Sequence, residues 1–595
     1  MPPVPVVPAT AATASDGGPG AELPPPLRTP RGGQGQWGAG HTEPLNPNER
    51  TKKDDDGLNV RARIETTYAL QGFDSIDPGD LRGRMRWWGL YTQRREGIPG
   101  GLTATLEPEE LDAEFFMLRV RIPGGQLSNA QLRAVAEVGT TFCRDTADIT
   151  DRQNVQFHWV RIEDVPAIWQ RLEAVGLSTA EACGDTPRNM LGCPLAGVDG
   201  DEVIDATPAL LATNARFTGD PAFSNLPRKF KTSISGCPSQ CTLHELHDVA
   251  FVGVVHPELG PGFDLWVGGG LSTNPMIGKR LGAFVPAARV EEVWAGVAGV
   301  FRDWGYRRAR TRARIKFLVA DWGPERFRAV LERDYLPGGP LPDGPPPAPP
   351  RAGHRDHVGV LPQHDGLVAV GAAPTVGRVS GSLLLAVADL AASYGDGRVR
   401  LTVEQKLVLL GVPPHRSDAL VAALLDLGLA VRPSEFRRGT MACTGLEFCK
   451  LAITETKGRA QQLVEELEKR LPMMVEPFSI NMNGCPNSCA RTQVADVGLK
   501  GMQVTTEDGR RVEGFQVHLG GHLAGVGAAE ATLGRKVRGL RVASDDLPDY
   551  VEGLVRRWLD GRAQGQSFAD WSAAADPQLL VAGATRLAGG AERDE

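Results

Sequence analysis

Four cysteines in the C-terminal part of the chain form two closely spaced pairs. Cys443 and Cys449 have five residues between them, and Cys485 and Cys489 have three. Soft thiolates in two such pairs can hold an iron-sulfur cluster or a tetrahedral zinc ion. Zinc sites usually place about two to four residues between paired ligands, so the wider first pair favours the cluster. The spacing predicts a metal centre and leaves the choice of metal open.

The elements that must position these cysteines occur twice. Cys485 and Cys489 follow Cys237 and Cys241 by 248 residues, and the segment 515–521 follows 263–269 by 252. The segment 402–405 follows 150–153 by the same 252 residues. β-rich runs alternate with amphipathic helical stretches in both halves, which is typical of α/β or α+β layers. We predict a duplicated α/β unit whose copies pack about a pseudo-twofold axis, with any shared site between them.

The composition limits the kind of protein and its partners. The chain has 595 residues, 41% of them hydrophobic, a formal net charge of -7 and nine cysteines. This charge gives no overall attraction to nucleic acid or to an anionic membrane. No apolar stretch approaches the roughly 18 residues of a membrane helix, and the N-terminus does not have the layout of a secretory signal. We therefore expect a cytoplasmic protein whose cysteines are free thiols or metal ligands.

The distribution of Pro and Gly suggests where the chain divides. Residues 1–48 are rich in Pro, Gly and Ala and are predicted to be a disordered extension. A Pro-rich linker, 337–356, separates the two halves. The predicted divisions are an N-terminal segment with a first half-domain at 49–183, a degenerate cluster domain at 184–336, a second half-domain at 357–432, a cluster domain at 433–580 and a flexible tail at 581–595.

The cysteine motifs also carry a family resemblance. Met441-Ala-Cys443 with Cys449, and the run Asn483-Gly-Cys485-Pro-Asn-Ser-Cys489, resemble the cluster signature of siroheme-dependent sulfite and nitrite reductases, nearest to the actinobacterial ferredoxin-dependent sulfite reductases. The similarity extends over residues 58–575. It implies ferredoxin-like and cluster-binding half-domains, a [4Fe-4S] cluster bound by all four cysteines, and siroheme whose iron shares the sulfur of Cys489.

The first half keeps only part of the cysteine motif. Cys237 and Cys241 stand at the duplicated position, but Cys193 is the one cysteine where a pair would be needed. A second cluster is therefore not expected. These cysteines are predicted to be relics that pack as small hydrophobic side chains.

The resemblance also implies the residues that bind the substrate and siroheme. Siroheme carries eight carboxylates and the substrate is a small oxyanion, so fixed cations must line the site. The catalytic cations of the family map onto Arg119, Arg188, Lys229 and Lys231. The implied siroheme-facing residues are Arg152, Gln153, Asn154, His158, Gln405 and Lys406, although His158 also fits a core histidine. Lysine at position 231 favours sulfite, because nitrite reductases of this family tend to have asparagine there.

Three further predictions are made from the sequence. The resemblance implies a possible thioether between Tyr68 and Cys183 beside the siroheme. A basic run over 307–316 is a candidate surface for an acidic ferredoxin, with a solvated face or a siroheme contact as equal alternatives. No nucleotide or flavin motif is complete, so the electron donor is expected to be an external reduced ferredoxin and the protein a monomer.

The predicted function is six-electron reduction of sulfite to sulfide. The alternatives are a ferredoxin-nitrite reductase, a cobalamin-pathway oxygenase on the same scaffold, and a structural zinc or electron-transfer protein without haem.

Overall fold

The structure is a computed structural model that describes residues 23–28, 34–43, 46–351, 353–524 and 530–587. It contains four five-stranded sheets, two in each half of the chain. Within these residues, no helix is long and apolar enough to cross a membrane.

Two of the sheets are antiparallel and each takes one strand from the other half of the chain. The first has the order β1-β2-β5-β4-β13 and the second the order β11-β12-β15-β14-β3. Strand β3 belongs to the first half and β13 to the second, so the halves exchange edge strands. The strands are β1 (Leu90–Arg94), β2 (Asp112–Val120), β3 (Gln126–Leu127), β4 (Ala147–Ile149), β5 (Val155–Val160), β11 (Gly359–Pro362), β12 (Val368–Ala372), β13 (Arg378–Val379), β14 (Val399–Leu401) and β15 (Leu407–Val412).

The other two sheets are mixed and carry the cysteine motifs at the ends of their parallel strands. Their orders are β10-β9-β8-β7-β6 and β20-β19-β18-β17-β16, so each strand corresponds to the one numbered ten higher. The strands are β6 (Pro187–Leu191), β7 (Phe230–Ser235), β8 (Val249–His256), β9 (Gly260–Val267), β10 (Lys279–Val285), β16 (Thr440–Ala442), β17 (Ile480–Asn483), β18 (Val497–Thr505), β19 (Arg511–Leu519) and β20 (Arg535–Ala543). The predicted duplication is confirmed at the level of strand order.

Helices cover these sheets and close three main hydrophobic cores, one shared by the two antiparallel sheets and one for each mixed sheet. The helices of eight or more residues are Pro47–Asp54, Asn129–Phe142, Val165–Glu173, Thr207–Phe217, Val290–Trp304, Ile315–Asp334, Gly381–Tyr394, Ser417–Asp426, Lys457–Arg470 and Leu547–Gly561. Shorter α-helical segments are Val60–Arg63, Ala69–Gln71, Pro78–Arg82, Pro108–Leu111, Glu435–Gly439, Phe568–Ala574 and Pro577–Val581.

The pseudo-twofold relation is visible where two equivalent helices meet. Helices Asn129–Phe142 and Gly381–Tyr394 pack against each other, and each begins at a serine that caps its first turn. A Cβ at Gly139 would lie 3.0 Å from the Cα of Gly381, so the small residues permit this close approach. The shared core of the antiparallel sheets forms around this contact.

The predicted disordered extension is wrong for the part of it that the structure describes. Leu27 packs over Gly323, the amide of Arg28 donates to the Asp321 carbonyl, and the guanidinium of Arg307 lies 3.6 Å from the centre of the Trp37 ring. A few anchoring side chains therefore hold this Pro- and Gly-rich segment on the first half. Residues 1–22 lie outside the described residues.

The Pro-rich linker and the tail also make contacts. Within 337–356, the Pro342 carbonyl accepts from the amide of Phe284, and Leu341 is buried in the first mixed-sheet core. In the tail, the carbonyl of Arg586 accepts from the amide of Glu507, and the flexibility of 581–595 stays a prediction. Residues 588–595 lie outside the described residues.

Candidate cofactor and anion site

The four second-half cysteines lie on two loops that leave adjacent parallel strands. Cys443 follows β16, and its amide donates to the Met482 carbonyl of β17. The amide of Gly484 in turn lies 3.3 Å from the Cys443 sulfur. Ser488 has a φ of 55°, which turns the loop between Cys485 and Cys489 back on itself. This backbone brings the two predicted pairs together.

Burial controls the protonation of these thiols. It raises the pKa of Cys443 to about 12, with further contributions from the neighbouring Cys489 and Cys449. The pKa of Cys485 is raised too, first by burial and then by the other three cysteines. The four thiols are therefore close enough to interact, and binding a metal there would release protons. Cys489 is the exposed member of the set.

A cavity joins the Cys485–Cys489 loop to cations of the first half. Its lining includes Asn487 and Ser488 from the loop, together with Arg152, Lys229, Lys231 and Arg314. Arg119 and Arg188 lie in the same electrostatic cluster: burial lowers the pKa of Arg119, and the charge of Arg188 lowers it further. The structure thus brings the predicted catalytic cations together opposite the predicted cluster loop.

The two lysines of this group are buried among other cations, and Asp151 is the carboxylate that lines the same cavity. Burial and the charge of Arg314 lower the pKa of Lys229 to about 8, and burial with Arg152 holds the pKa of Lys231 well below its usual range. Among the described residues, neither ammonium has a hydrogen-bond or ion-pair partner. Such a cluster is costly unless an anion completes it.

Comparison with known proteins identifies this arrangement. A family model described as the nitrite and sulphite reductase 4Fe-4S domain matches residues 183–337 and 434–569. A second, the nitrite/sulfite reductase ferredoxin-like half domain, matches residues 109–175 and 361–427. The chain belongs to the nitrite and sulphite reductase family. The family models match it twice each, once in either half, as the duplication requires.

Relatives of the chain cover nearly its whole length. "Sulfite reductase [ferredoxin]" of Mycobacterium tuberculosis (strain H37Rv) is 56% identical over 543 residues, 90% of this chain and 96% of that protein. "Assimilatory ferredoxin-dependent nitrite reductase" of Haloferax mediterranei is 36% identical over 566 residues, 90% of this chain and 92% of that protein. The solved structure of the Mycobacterium tuberculosis NirA protein matches with a TM-score of 0.89 and 55% identity, covering 92% of this chain and 100% of that one.

Reductases of this family bind siroheme and a [4Fe-4S] cluster, and the thiols and cations present are donors of the chemical kind that these two groups need. Three buried or half-buried thiols and the exposed Cys489 lie at the loop ends, and a cavity lined by Arg152, Lys229 and Lys231 adjoins them. The Nε atoms of Arg119 and Arg152 are buried without a partner, as is Nδ2 of Asn483. These donors match a cofactor that carries many carboxylates. The zinc-only alternative does not account for them.

Several residues predicted to face siroheme have other side-chain partners. Gln405 donates from Nε2 to the Ala442 carbonyl at 3.0 Å and accepts from the Ala442 amide at 3.3 Å. Gln153 makes the same pair of bonds with Gly192, at 2.9 and 3.1 Å. Both residues have a left-handed backbone, with φ of 60° and 55°. They brace the residue before a cysteine, a role that the sequence did not indicate.

Three of the other four residues of that set also bond within the protein. Asn154 Oδ1 lies 3.3 Å from the Ile122 amide, and Lys406 Nζ lies 3.5 Å from the Arg437 carbonyl. His158 is fully buried, stacks on Phe448 with ring centres 3.8 Å apart, and lies 2.9 Å from Asp148. These partners favour the core-histidine alternative for His158, and of the six residues only Arg152 lines the cation cavity.

The predicted thioether between Tyr68 and Cys183 stays a prediction, and the structure gives the Tyr68 hydroxyl a carboxylate partner. This hydroxyl donates to the Asp80 carboxylate at 2.7 Å, and burial raises its pKa. Cys183 contributes to the electrostatic environment of Arg86, whose guanidinium lies 5.9 Å from the centre of the Tyr91 ring. Arg86 is therefore a common neighbour of Tyr91 and Cys183.

The basic run is divided among buried ion pairs. Arg307 contacts Glu49 at 3.0 Å, Arg310 contacts Asp185 at 2.7 Å, and Arg314 contacts Asp248 at 2.7 Å. Arg307 and Arg314 are buried, so the ferredoxin-surface interpretation is wrong for these two residues, whereas Arg310 is partly exposed. Arg314 lines the cavity beside Lys229 and Lys231, and the siroheme-side alternative stays a prediction for it.

A second, larger cavity lies at the pseudo-symmetric position. It measures about 550 Å³, and Glu404 and Arg438 occupy the positions of Arg152 and Arg188 in the duplicated unit. Carboxylates neutralise two of its cations, since Arg438 pairs with Asp356 at 2.7 Å and Arg491 with Glu404 at 2.8 Å. This counterpart lacks the two buried lysines of the first cavity, so it does not offer an equivalent anion site.

Proposed function

We propose that this protein is a ferredoxin-dependent sulfite reductase that reduces sulfite to sulfide with six electrons. The observation that carries the proposal is the cavity in which Lys229 and Lys231 face the Cys485–Cys489 loop. Relatives at 56% identity are named sulfite reductase [ferredoxin], which supports the same activity.

The four cysteines Cys443, Cys449, Cys485 and Cys489 would hold the [4Fe-4S] cluster, and Cys489 would also ligate siroheme iron. When bound, the two cofactors supply electrons singly to the substrate. The exposed position of Cys489 beside the cation cavity supports this assignment.

The cations of the first half hold the substrate and supply protons. Lys229 and Lys231 offer ammonium donors to an oxyanion, and Arg119 and Arg188 add guanidinium groups. The pKa of Lys229, lowered to about 8, makes this ammonium a better acid than a solvated lysine at neutral pH. Water formed from substrate oxygen requires such proton donors.

Lys231 supports sulfite over nitrite. Sulfite carries more negative charge than nitrite at neutral pH, and a second ammonium in the cavity stabilises the more highly charged ion better. Nitrite reduction to ammonia is the alternative, since a relative at 36% identity is named a nitrite reductase.

The electron donor and setting are part of the proposal. Reduced ferredoxin is proposed as donor because of the names of the relatives. All nine cysteines are free thiols, which supports the reducing cytoplasm as the location. We also propose that the chain acts as a monomer, since both halves of the site belong to one polypeptide.

Two measurements test this function. The purified protein should show the Soret and red absorption bands of siroheme, and steady-state kinetics with a reduced viologen dye should give a higher kcat/KM for sulfite than for nitrite. A protein with both bands but a higher kcat/KM for nitrite would be a nitrite reductase. Absence of a tetrapyrrole spectrum in cofactor-replete protein would overturn the assignment.

A further inference from the structure

The first-half cysteines are not scattered relics. The Sγ atoms of Cys193, Cys237 and Cys241 all lie within 4.8 Å of one another, and the three side chains are buried. Nε2 of His357 lies 3.9 Å from the Cys193 sulfur. We propose that Cys193, Cys237, Cys241 and His357 form a second metal site that binds one tetrahedral zinc ion.

The strand register places Cys193 where the second half has a cluster ligand. Leu191 pairs with Ser233, so Cys193 falls level with the position two residues before Cys237. Ala442 pairs with Met482, so Cys443 falls level with the position two residues before Cys485. Cys193 is therefore the structural equivalent of Cys443.

The rest of the ligand scaffold is duplicated as well. Gln153 braces Gly192, the residue before Cys193, as Gln405 braces Ala442. Gln240 has a φ of 51° where Ser488 has 55°, so both cysteine loops turn in the same way. Three of the four ligand positions of the cluster thus survive in the first half with their supporting backbone.

The sulfur separations favour one ion over a second cluster. A tetrahedral zinc with Zn–S bonds of about 2.3 Å places its sulfurs about 3.8 Å apart. In a cubane each thiolate binds a different iron, so the sulfurs stand farther apart. In the part of the chain that the structure describes, no three of the four second-half sulfurs come within 4.8 Å of one another, whereas the first-half sulfurs do.

The fourth ligand comes from the segment that joins the halves. The carbonyl of Ala348 accepts from Gln240 Nε2 at 2.9 Å, and the amide of Arg351 donates to the Pro238 carbonyl at 3.1 Å. The Pro-rich segment therefore packs on the Cys237–Cys241 loop, and His357, which follows it directly, lies beside Cys193. Three sulfur ligands and one imidazole nitrogen are a common donor set for structural zinc.

The alternative is that the cysteines pack only as apolar side chains. They do form a small core with Ala369, Val408 and Leu410 of the second half. Apolar packing alone does not require three sulfurs to converge at the register of a ligand loop, nor an imidazole beside Cys193. A zinc ion at this point would clamp the cysteine loop, the linker and the second antiparallel sheet together.

Metal content and X-ray absorption of the holoenzyme test the site independently of activity. The cofactors account for about five iron atoms per chain, and we expect about one zinc in addition. Zinc K-edge spectra should give three sulfurs at about 2.3 Å and one nitrogen at about 2.0–2.1 Å. Iron does not contribute to this edge, so the measurement needs no variant.

Variants then locate the zinc. C237S, C241S and H357A should lose zinc while the siroheme spectrum and iron content remain. The matched controls are C143S, a buried thiol in another core, and H364A, an exposed histidine of the same region; both should retain zinc. The proposal is overturned if wild-type protein holds only trace zinc, if zinc persists in C241S and H357A, or if the extra metal is iron.

Discussion

Replacing Lys231 with asparagine tests the charge argument for sulfite directly. The ammonium has no hydrogen-bond or ion-pair partner among the described residues, and burial together with Arg152 holds its pKa well below the usual range. A bound oxyanion would add to the stabilisation that Asp151 gives this charge. Removing it should weaken transition-state binding of sulfite more than that of nitrite.

The magnitude follows from the value of a charge-assisted hydrogen bond. Such a bond contributes about 1.5–3 kcal/mol, and each 1.4 kcal/mol or so corresponds to roughly a factor of ten in rate. Lys231 is also repelled by Arg152 and Lys229, and K231N relieves that repulsion. We therefore expect kcat/KM for sulfite to fall roughly 10- to 100-fold, and kcat/KM for nitrite to fall much less.

The assay is steady-state reduction of each anion with a reduced viologen dye, on protein matched for siroheme absorbance. K279N, which changes an exposed lysine on β10, is the control and should leave both values unchanged. An equal loss for the two anions would refute the idea that this lysine discriminates by charge. If K231N lowered kcat/KM for neither anion, Lys231 would not be part of the anion site.

Three further predictions concern the cluster loop and stability. Q405L removes both bonds to the Ala442 backbone, so we expect a loss of about 1–3 kcal/mol of stability and faster bleaching of cluster absorbance by a chelator. C489S should lower the iron content and abolish multi-electron turnover; unchanged values for both would contradict the ligand assignment. Burial raises the pKa of Glu181 to about 7, so the folded protein holds a proton that the unfolded chain releases, and this stability is lost as pH rises from about 4.5 through 7. E181Q keeps an acceptor for the Gly219 amide. It should raise the free energy of unfolding at pH 8 by up to about 3 kcal/mol and leave it unchanged at pH 5. An equal effect at the two pH values would exclude the titration of Glu181 as the cause.

Much of the site could be predicted because its residues lie in local motifs. The pairs at Cys443 and Cys485 and the lysines at 229 and 231 are short-range patterns, and the structure brings the Cys485–Cys489 loop and the two lysines together at one cavity. The duplication was visible because equivalent residues keep a nearly constant spacing. The exchange of edge strands cannot be predicted from the sequence, because β3 and β13 are two residues long and carry no hydrophobic pattern of their own.

The errors arose where tertiary contacts outweigh composition or where backbone conformation redirects a side chain. Leu27 and Trp37 hold a segment whose Pro and Gly content suggested disorder. Gln153 and Gln405 lie in the predicted place, but their positive φ turns the side chains onto neighbouring backbone. The incomplete cysteine motif of the first half predicts apolar packing, which the structure shows, but not that the three sulfurs lie within 4.8 Å of one another.

The exchange of β3 and β13 means that neither half of the molecule is complete without the other. Val379 of the second half pairs with Ala147 of the first, and Leu127 of the first half pairs with Val399 of the second. One edge strand of each antiparallel sheet therefore comes from the other half. A polypeptide cut within the Pro-rich segment would still hold together through these reciprocal edges. The same arrangement would arise if two identical ancestral subunits had first traded strands as a dimer and only later been fused into one gene.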